Sequence, residues 1–248
     1  LWASPLGNPT SERGEVDGEI ETTFPGLLLA VADGMGGALA GEVASGLAVQ
    51  TLGEEMARRS RWLSPERLEP GTCAAVLREA VEAANAHIRG EGENNPKRRG
   101  MGTTLTAVWV RADQGEIAQV GDSRAYLFRQ GHLRQLTKDQ SLVGKLIEDN
   151  IISEEEAERM AGRNIILQAL GTDEPLDVVH QTESLQPGDT LVLCTDGLTS
   201  VVNNKDLEEQ LRLGGKPCDV CDRLVQLANE RGGPDNVTVL VARAEKVI

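Results

Sequence analysis

Val31-Ala32-Asp33-Gly34-Met35-Gly36-Gly37 closes an apolar run that begins at Leu27, and it sets an aspartate where that run stops. A short continuous apolar run bounded by glycines is typical of a buried strand. The glycines let the backbone turn sharply and bring a carbonyl or a ligand close without a side-chain clash. The stretch therefore predicts a buried strand that delivers Asp33 to the edge of a sheet.

Two later stretches place an aspartate in the same way. Asp196 follows the apolar run 191–194, and Asp235 precedes the apolar run 237–241. In an antiparallel sheet the end of one strand lies beside the start of its neighbour, so all three carboxylates can meet at one edge. Asp122, within Val120-Gly121-Asp122-Ser123-Arg124, is a fourth acid in a similar setting.

Such a set of oxygen ligands favours a small hard cation. Mg²⁺ and Mn²⁺ prefer carboxylate, carbonyl and water oxygens, and the sequence has no His or Cys cluster that would favour zinc. Any one Asp-Gly pair is also an ordinary turn former after a strand, so the prediction depends on the coincidence of all of them. The three histidines lie outside any nucleophile-base motif, which argues against covalent catalysis.

The order of these motifs resembles the metal-dependent serine/threonine protein phosphatases of type 2C, the PPM family, and in particular its compact bacterial members. One such motif would be weak evidence, whereas seven in register are specific. The segments that are similar are, in chain order, 31–37, 102–104, 120–126, 136–141, 164–171, 195–197 and 234–236.

The resemblance implies a role for each acidic position. Asp33 would bridge two metal ions, and the carbonyl of Gly34 would bind the second of them. Asp196 and Asp235 would hold the first ion, and Asp122 with Asp196 would bind a weaker third one. Asp33, Asp196 and Asp235 would then act in catalysis through water activated by the two ions, which attacks phosphoserine or phosphothreonine in line without a phosphoenzyme.

Two departures from the family pattern concern the phosphate and the leaving group. Family members carry an arginine and an acidic pair upstream of the first metal motif, and residues 1–25 contain no such pattern; Arg13 is the only local substitute. We therefore expect the first strand of the domain to lie upstream of Leu1. Many bacterial relatives also have a histidine directly after the Gly-Met-Gly-Gly segment, where this chain has Ala38, so the sequence assigns no proton donor to the leaving group.

The motifs span nearly all 248 residues, which predicts one catalytic domain over 1–248 that lacks its first strand. Helical periodicity marks two segments, around Ala44–Leu52 and Leu77–Ile88, and both follow the first metal strand. Tight turns at 113–115 and 130–131 predict hairpins. The class is α+β, an α/β/β/α sandwich of two mainly antiparallel sheets flanked by helices, which is also the fold that the resemblance implies. The predicted strands are 103–111, 116–120, 124–129, 178–185, 190–194 and 236–242.

Two polar segments separate these elements. Residues 139–162 correspond to a flap beside the active site in the family, and a solvent-exposed helical hairpin is an equally good interpretation. Within it, Ser153 and Glu156 have the spacing of a capping box. Residues 91–99, rich in charged residues and asparagine, predict a mobile loop before the next strand.

Composition restricts the partners. A net charge of −14 argues against a nucleic-acid or membrane-surface partner, and it would repel phosphate at long range unless metal ions supply local positive charge. Cys218 and Cys221 form a C-x-x-C without a second pair, and core packing is the better interpretation than redox chemistry. Reduced thiols fit a cytoplasmic location, and we expect a monomer.

The sequence leaves three functions open. The first is a phosphatase that acts on phosphorylated proteins and opposes a bacterial serine/threonine kinase. The second is a pseudophosphatase, a regulatory or binding module that keeps the fold but turns over poorly because the upstream arginine and acidic pair are absent. The third is a dinuclear-metal phosphoesterase that acts on small phosphorylated metabolites.

Overall fold

The apolar run 27–31 is hydrophobic at every position because both of its faces are buried. In the computed structural model it forms a strand, Leu27–Val31, whose side chains point alternately to two different cores. Leu28 and Ala30 face one layer of helices, and Leu29 faces a second sheet. The structure describes residues 2–5, 26–61, 63, 71–153, 156, 160, 165–172 and 175–245.

The first sheet has five antiparallel strands in the order β1-β2-β5-β6-β9. Its central strands are the most apolar, since they are covered on both faces. These strands are β1 (Trp2–Pro5), β2 (Leu27–Val31), β5 (Leu105–Arg111), β6 (Gln114–Val120) and β9 (Val179–Ser184).

The second sheet has four antiparallel strands in the order β11-β10-β7-β8. They are β7 (Arg124–Arg129), β8 (His132–Gln135), β10 (Thr190–Cys194) and β11 (Val239–Arg243). A separate two-stranded ribbon pairs β3 (Gly34–Met35) with β4 (Gly102–Thr103). The ribbon lies where β2 ends, directly after Asp33.

Six helices occur within the described residues. Two long ones, α1 (Ala38–Ser60) and α2 (Thr72–Asn94), pack on the first sheet. The short α3 (Leu142–Glu148) is capped at its N-terminus by Ser141, whose hydroxyl accepts a hydrogen bond from the N–H of Gly144. The remaining three lie between β10 and β11 in the chain: α4 (Asp196–Thr199), α5 (Asn204–Arg212) and α6 (Pro217–Glu230).

The layers pack against one another through three separate hydrophobic cores. One lies between α1, α2 and the first sheet, and a second lies between the two sheets. The third lies between the second sheet and helices α4 to α6. The predicted α/β/β/α sandwich is therefore confirmed; the predicted face of α2 is buried, and that of α1 is buried at Ala44, Ala48 and Leu52. No helix in the described part of the chain is long and apolar enough to cross a membrane.

Two local predictions were wrong. Residues 91–94 continue α2 rather than forming a loop, because Glu91 pairs with Arg98 at 2.6 Å and a 3₁₀ turn, Pro96–Arg98, follows at once. The first hairpin turns at 112–113 instead of 113–115. Gly115 belongs to β6, where it packs against Val108 in the sheet.

Candidate metal centre

Asp33 and Asp122 come from the two connections that leave the first sheet at one end. Asp33 lies two residues beyond the end of β2, and it is half-buried. Asp122 lies in the turn from β6 in the first sheet to β7 in the second, and only 7% of it is exposed. The last paired residues of β2 and β6, Val31 and Val120, both face the same strand, β5. These two carboxylates therefore share one end of the sandwich.

Asp196 and Asp235 are brought together by backbone contacts between their own turns. Asp196 begins α4 directly after β10, and Asp235 precedes β11, which pairs with β10. The Thr195 N–H donates to the carbonyl of Thr238 at 3.1 Å, and the Thr238 N–H donates to the Thr195 hydroxyl at 3.1 Å. Adjacent antiparallel strands thus present both acids at one edge, as the sequence predicts.

The electrostatics of Asp33 show that the other three carboxylates all act on it. Burial, the negative charge of Asp196 and a hydrogen bond with Asp196 raise the pKa of Asp33 from 3.8 to about 7. The charges of Asp235 and Asp122 are smaller contributions to the same shift. The three charged neighbours that raise the pKa of Asp33 are all carboxylates, so negative charge is concentrated at this end of the molecule.

Asp122 is perturbed in the same direction. Burial and, to a lesser extent, the charges of Asp196 and Asp139 together raise its pKa from 3.8 to about 7. Arg124 is the nearby cation, but its guanidinium is committed to Asp139, with Nε and Nη2 donating at 2.8 and 2.6 Å. A bidentate pair of this kind leaves little positive charge to offset Asp122.

These carboxylates fit a divalent cation. Among the described residues no group of three or more acidic, histidine or cysteine side chains stands at the spacing of a metal cluster in this structure. The repulsion that raises the pKa of Asp33 and Asp122 is the repulsion that a cation would remove. Because the donors are all oxygens, Mg²⁺ or Mn²⁺ suits them.

Gly34, the predicted carbonyl ligand, lies in a place that only glycine tolerates. It is exposed and pairs with Thr103 in the small ribbon. A Cβ on Gly34 would overlap the backbone carbonyl of Gly41 in the first turn of α1, and a Cβ on Gly41 would lie 2.7 Å from the Gly34 carbonyl carbon and oxygen. The start of α1 therefore lies directly against this backbone segment and fixes its direction.

A model of the family described as protein phosphatase 2C matches residues 20–230. The chain belongs to this family. The serine/threonine phosphatase stp of Listeria monocytogenes is 39% identical over 218 residues, which make up 88% of this chain and 84% of that protein. The serine/threonine protein phosphatase PstP of Mycobacterium tuberculosis is 40% identical over 235 residues, 94% of this chain and 43% of PstP.

A solved relative carries metal. The crystal structure of the PstP catalytic domain in complex with two manganese ions has a TM-score of 0.76 and 37% identity to this protein. The match covers 95% of this chain and 96% of that one. The predicted family, fold and phosphatase class are confirmed. The roles of individual residues stay a proposal.

The sequence did not identify the groups that hold these acids in place. Thr103, Thr104 and Ser123 are buried and hydrogen-bonded around Asp33 and next to Asp122. The sequence signal for them is a hydroxyl pair, Thr103 and Thr104, directly before the apolar strand β5, and a serine that follows Asp122. Cys221, in contrast, packs against the third core as predicted.

Proposed function

We propose that this protein hydrolyses phosphoserine and phosphothreonine in proteins, using water activated by two divalent ions. The observation that carries the proposal is that Asp122, Asp196 and Asp235, at the ends of the two sheets, all lie close enough to Asp33 to raise its pKa. The names of the two relatives and the manganese-bound PstP structure support it.

Each acid has a proposed position around the ions. The charges of all three other carboxylates raise the pKa of Asp33, and such a central position suits a bridging ligand between two ions. The Gly34 carbonyl completes the second site, and Asp196 with Asp235 completes the first. Among its charged neighbours, Asp196 raises the pKa of Asp122 most, and the two form a weaker third site. The ions are Mn²⁺ or Mg²⁺, since every donor is a hard oxygen.

When bound, the two ions lower the pKa of water toward neutrality and stabilise the charge of the transferring phosphoryl group. The residues of the chain then have three tasks. Asp33 and Asp196 would hold the ions and so orient the attacking water. The two hydrogen bonds between Thr195 and Thr238 keep Asp196 and Asp235 at a fixed separation. The β3–β4 ribbon holds the Gly34 carbonyl against the start of α1.

The wider setting is proposed on chemical grounds. The substrates are phosphorylated proteins, including a serine/threonine kinase and its targets, because phosphatases of this kind reverse kinase reactions. The net charge of −14 supports the absence of nucleic-acid and membrane partners. The four free cysteines fit a cytoplasmic location. We further propose that residues 1–248 act as a single catalytic domain and as a monomer.

A substrate panel tests this function against the two alternatives. The manganese-loaded protein is assayed on p-nitrophenyl phosphate, on phosphoserine and phosphothreonine peptides, and on small phosphorylated metabolites. Preference for the peptides by kcat/KM supports the proposal. Preference for metabolites would overturn it in favour of a general phosphoesterase, and manganese binding without turnover of any substrate would favour the pseudophosphatase.

A further inference from the structure

Four hydroxyl side chains form a buried hydrogen-bonded group beneath the acidic end of the sandwich. Thr103, Thr104, Thr106 and Ser123 are at most 1% exposed. A buried hydroxyl is costly unless it is hydrogen-bonded, so an apolar side chain would be the simpler choice for packing alone. All four are bonded, and their partners lie beside Asp33 and Asp122.

Thr104 holds the backbone of Asp33 on both sides. Its N–H donates to the carbonyl oxygen of Asp33 at 2.8 Å, and the N–H of Asp33 donates back to its hydroxyl at 3.0 Å. The hydroxyl of Thr103 donates to the same Asp33 carbonyl at 2.8 Å. The regular pairing of β2 with β5 stops at Val31, so these contacts continue the pairing for the residue that bears the carboxylate.

The same hydroxyl of Thr104 reaches the turn that carries Asp122. Its oxygen lies 2.7 Å from the hydroxyl oxygen of Ser123, the residue that follows Asp122. Thr106 donates to the Ser123 carbonyl at 2.6 Å, which fixes the other side of that residue. One hydroxyl pair, Thr104 and Ser123, therefore joins the connection bearing Asp33 to the connection bearing Asp122.

We propose that Thr104 and Ser123 are positioning residues that hold Asp33 and Asp122 at the spacing a shared set of metal ions requires. The need is physical, since bare carboxylates repel each other and would otherwise move apart. Hydrogen-bonding partners behind metal ligands commonly contribute tenfold to hundredfold in metal affinity. This inference rests on the proposed function, because it assumes that the two acids bind metal.

The chain contains a matched control for Thr104. Thr137 is also buried, and its hydroxyl accepts the N–H of Ala125 at 3.0 Å, the same kind of bond that Thr104 makes with Asp33. Ala125 lies within β7, and no hydrogen bond joins Thr137 to Thr104 or Ser123 among those of the described residues. Thr137→Val therefore removes an equivalent bond away from the hydroxyl pair.

The experiment is isothermal titration of Mn²⁺ into the whole protein after chelation and dialysis, for the wild type and three variants. Thr104→Val should weaken Mn²⁺ binding by about tenfold or more. Thr104→Ser keeps the hydroxyl and should stay within about threefold of the wild type, which a purely steric role would not predict. Thr137→Val should lower the melting temperature while leaving Mn²⁺ affinity unchanged.

Ser123→Ala provides a second route if Thr104→Val does not fold. It deletes only the hydroxyl that faces Thr104 and should weaken Mn²⁺ binding several-fold. The double variant Thr104→Val/Ser123→Ala should then bind more tightly than the product of the single effects predicts, because both changes break the same link.

Each outcome separates this inference from the proposed function. Wild-type protein that binds Mn²⁺, with Thr104→Val or Ser123→Ala binding as tightly, would overturn the positioning role and leave the metal site standing. Equal losses in Thr104→Val and Thr137→Val would also overturn it, since the effect would then be general destabilisation. Wild-type protein that binds no Mn²⁺ would overturn both.

Discussion

The backbone of Gly197 lies directly against the carbonyl of Asn236, so that a Cβ on Gly197 would lie 2.8 Å from the carbonyl carbon and closer still to its oxygen. Gly197 follows Asp196, and Asn236 follows Asp235. The separation of these two acids is therefore set by contact between main chains, which cannot move aside as a flexible side chain can. The two hydrogen bonds between Thr195 and Thr238 hold the same contact from the strand side.

Gly197→Ala should impair both the metal centre and folding. The added methyl overlaps the Asn236 backbone, so one of the two turns must shift and carry its aspartate with it. We expect the thermal midpoint to fall and phosphatase activity to drop by at least about tenfold, as misplacement by an ångström at a preorganised site commonly does. Gly90→Ala is the control, since nothing lies near that position of α2 and alanine favours a helix. Wild-type activity in Gly197→Ala would show that the contact is dispensable.

Metal removal should abolish activity on p-nitrophenyl phosphate. The described residues around Asp33 supply carboxylates and no cation that could replace the ions. EDTA should therefore stop turnover, and added Mn²⁺ or Mg²⁺ should restore it. Full activity after exhaustive chelation would contradict the dinuclear mechanism.

Substitutions of the acids should separate their roles. Asp33→Ala removes the proposed bridge and should reduce kcat by about a thousandfold or more, because the ions supply several kcal/mol of transition-state stabilisation. Asp196→Ala and Asp235→Ala should be nearly as severe. Asp122→Ala should lose one weak ion in calorimetry and keep measurable activity. Equal turnover in Asp33→Ala and the wild type would refute the assignment of Asp33.

In the metal-free protein, the contribution of Asp33 to stability should be lost as pH rises through the range from about 4 to 7. The folded-state pKa of Asp33, about 7, lies above its ordinary value of 3.8, so below pH 3.8 both the folded and the unfolded chain are protonated at this position. At higher pH the unfolded chain releases its proton first, which favours unfolding, and above pH 7 the loss is complete.

Asp33→Asn isolates that contribution. At pH 8 the metal-free variant should be more stable than the metal-free wild type by roughly 1–3 kcal/mol, because an amide carries no charge to repel Asp196. At pH 4 the two proteins should melt together. The measurement is calorimetric unfolding at both pH values after chelation. A variant less stable than the wild type at pH 8 would mean that Asp33 is not under electrostatic strain.

The strands next to the acids could be predicted because burial on both faces requires apolar residues at every position. Leu27 to Val31 is apolar throughout, and the two sheets and the helices bury every one of those side chains. Antiparallel pairing then places Asp196 beside Asp235 without any further information. The turn between β6 and β7 could not be assigned to a crossing between sheets, since periodicity does not say which sheet a strand joins.

Contacts between distant segments account for most of what the sequence did not predict. The end of α2 is stabilised by Arg98, which lies beyond the predicted boundary. The pair of Thr104 and Ser123 joins residues 19 apart, and each residue alone is an ordinary strand or turn residue. The upstream substitute Arg13 lies outside the described residues, and the proposed flap at 139–162 lies partly outside them.

Anomalous diffraction from crystals grown with Mn²⁺ tests the central claim most directly. Data collected at the manganese absorption edge locate the ions without reference to any assumed mechanism. We predict two strong peaks between Asp33, Asp196 and Asp235, one of them beside the Gly34 carbonyl, and a weaker third peak near Asp122. Strong peaks elsewhere on the protein, with none beside Asp33, would contradict the account.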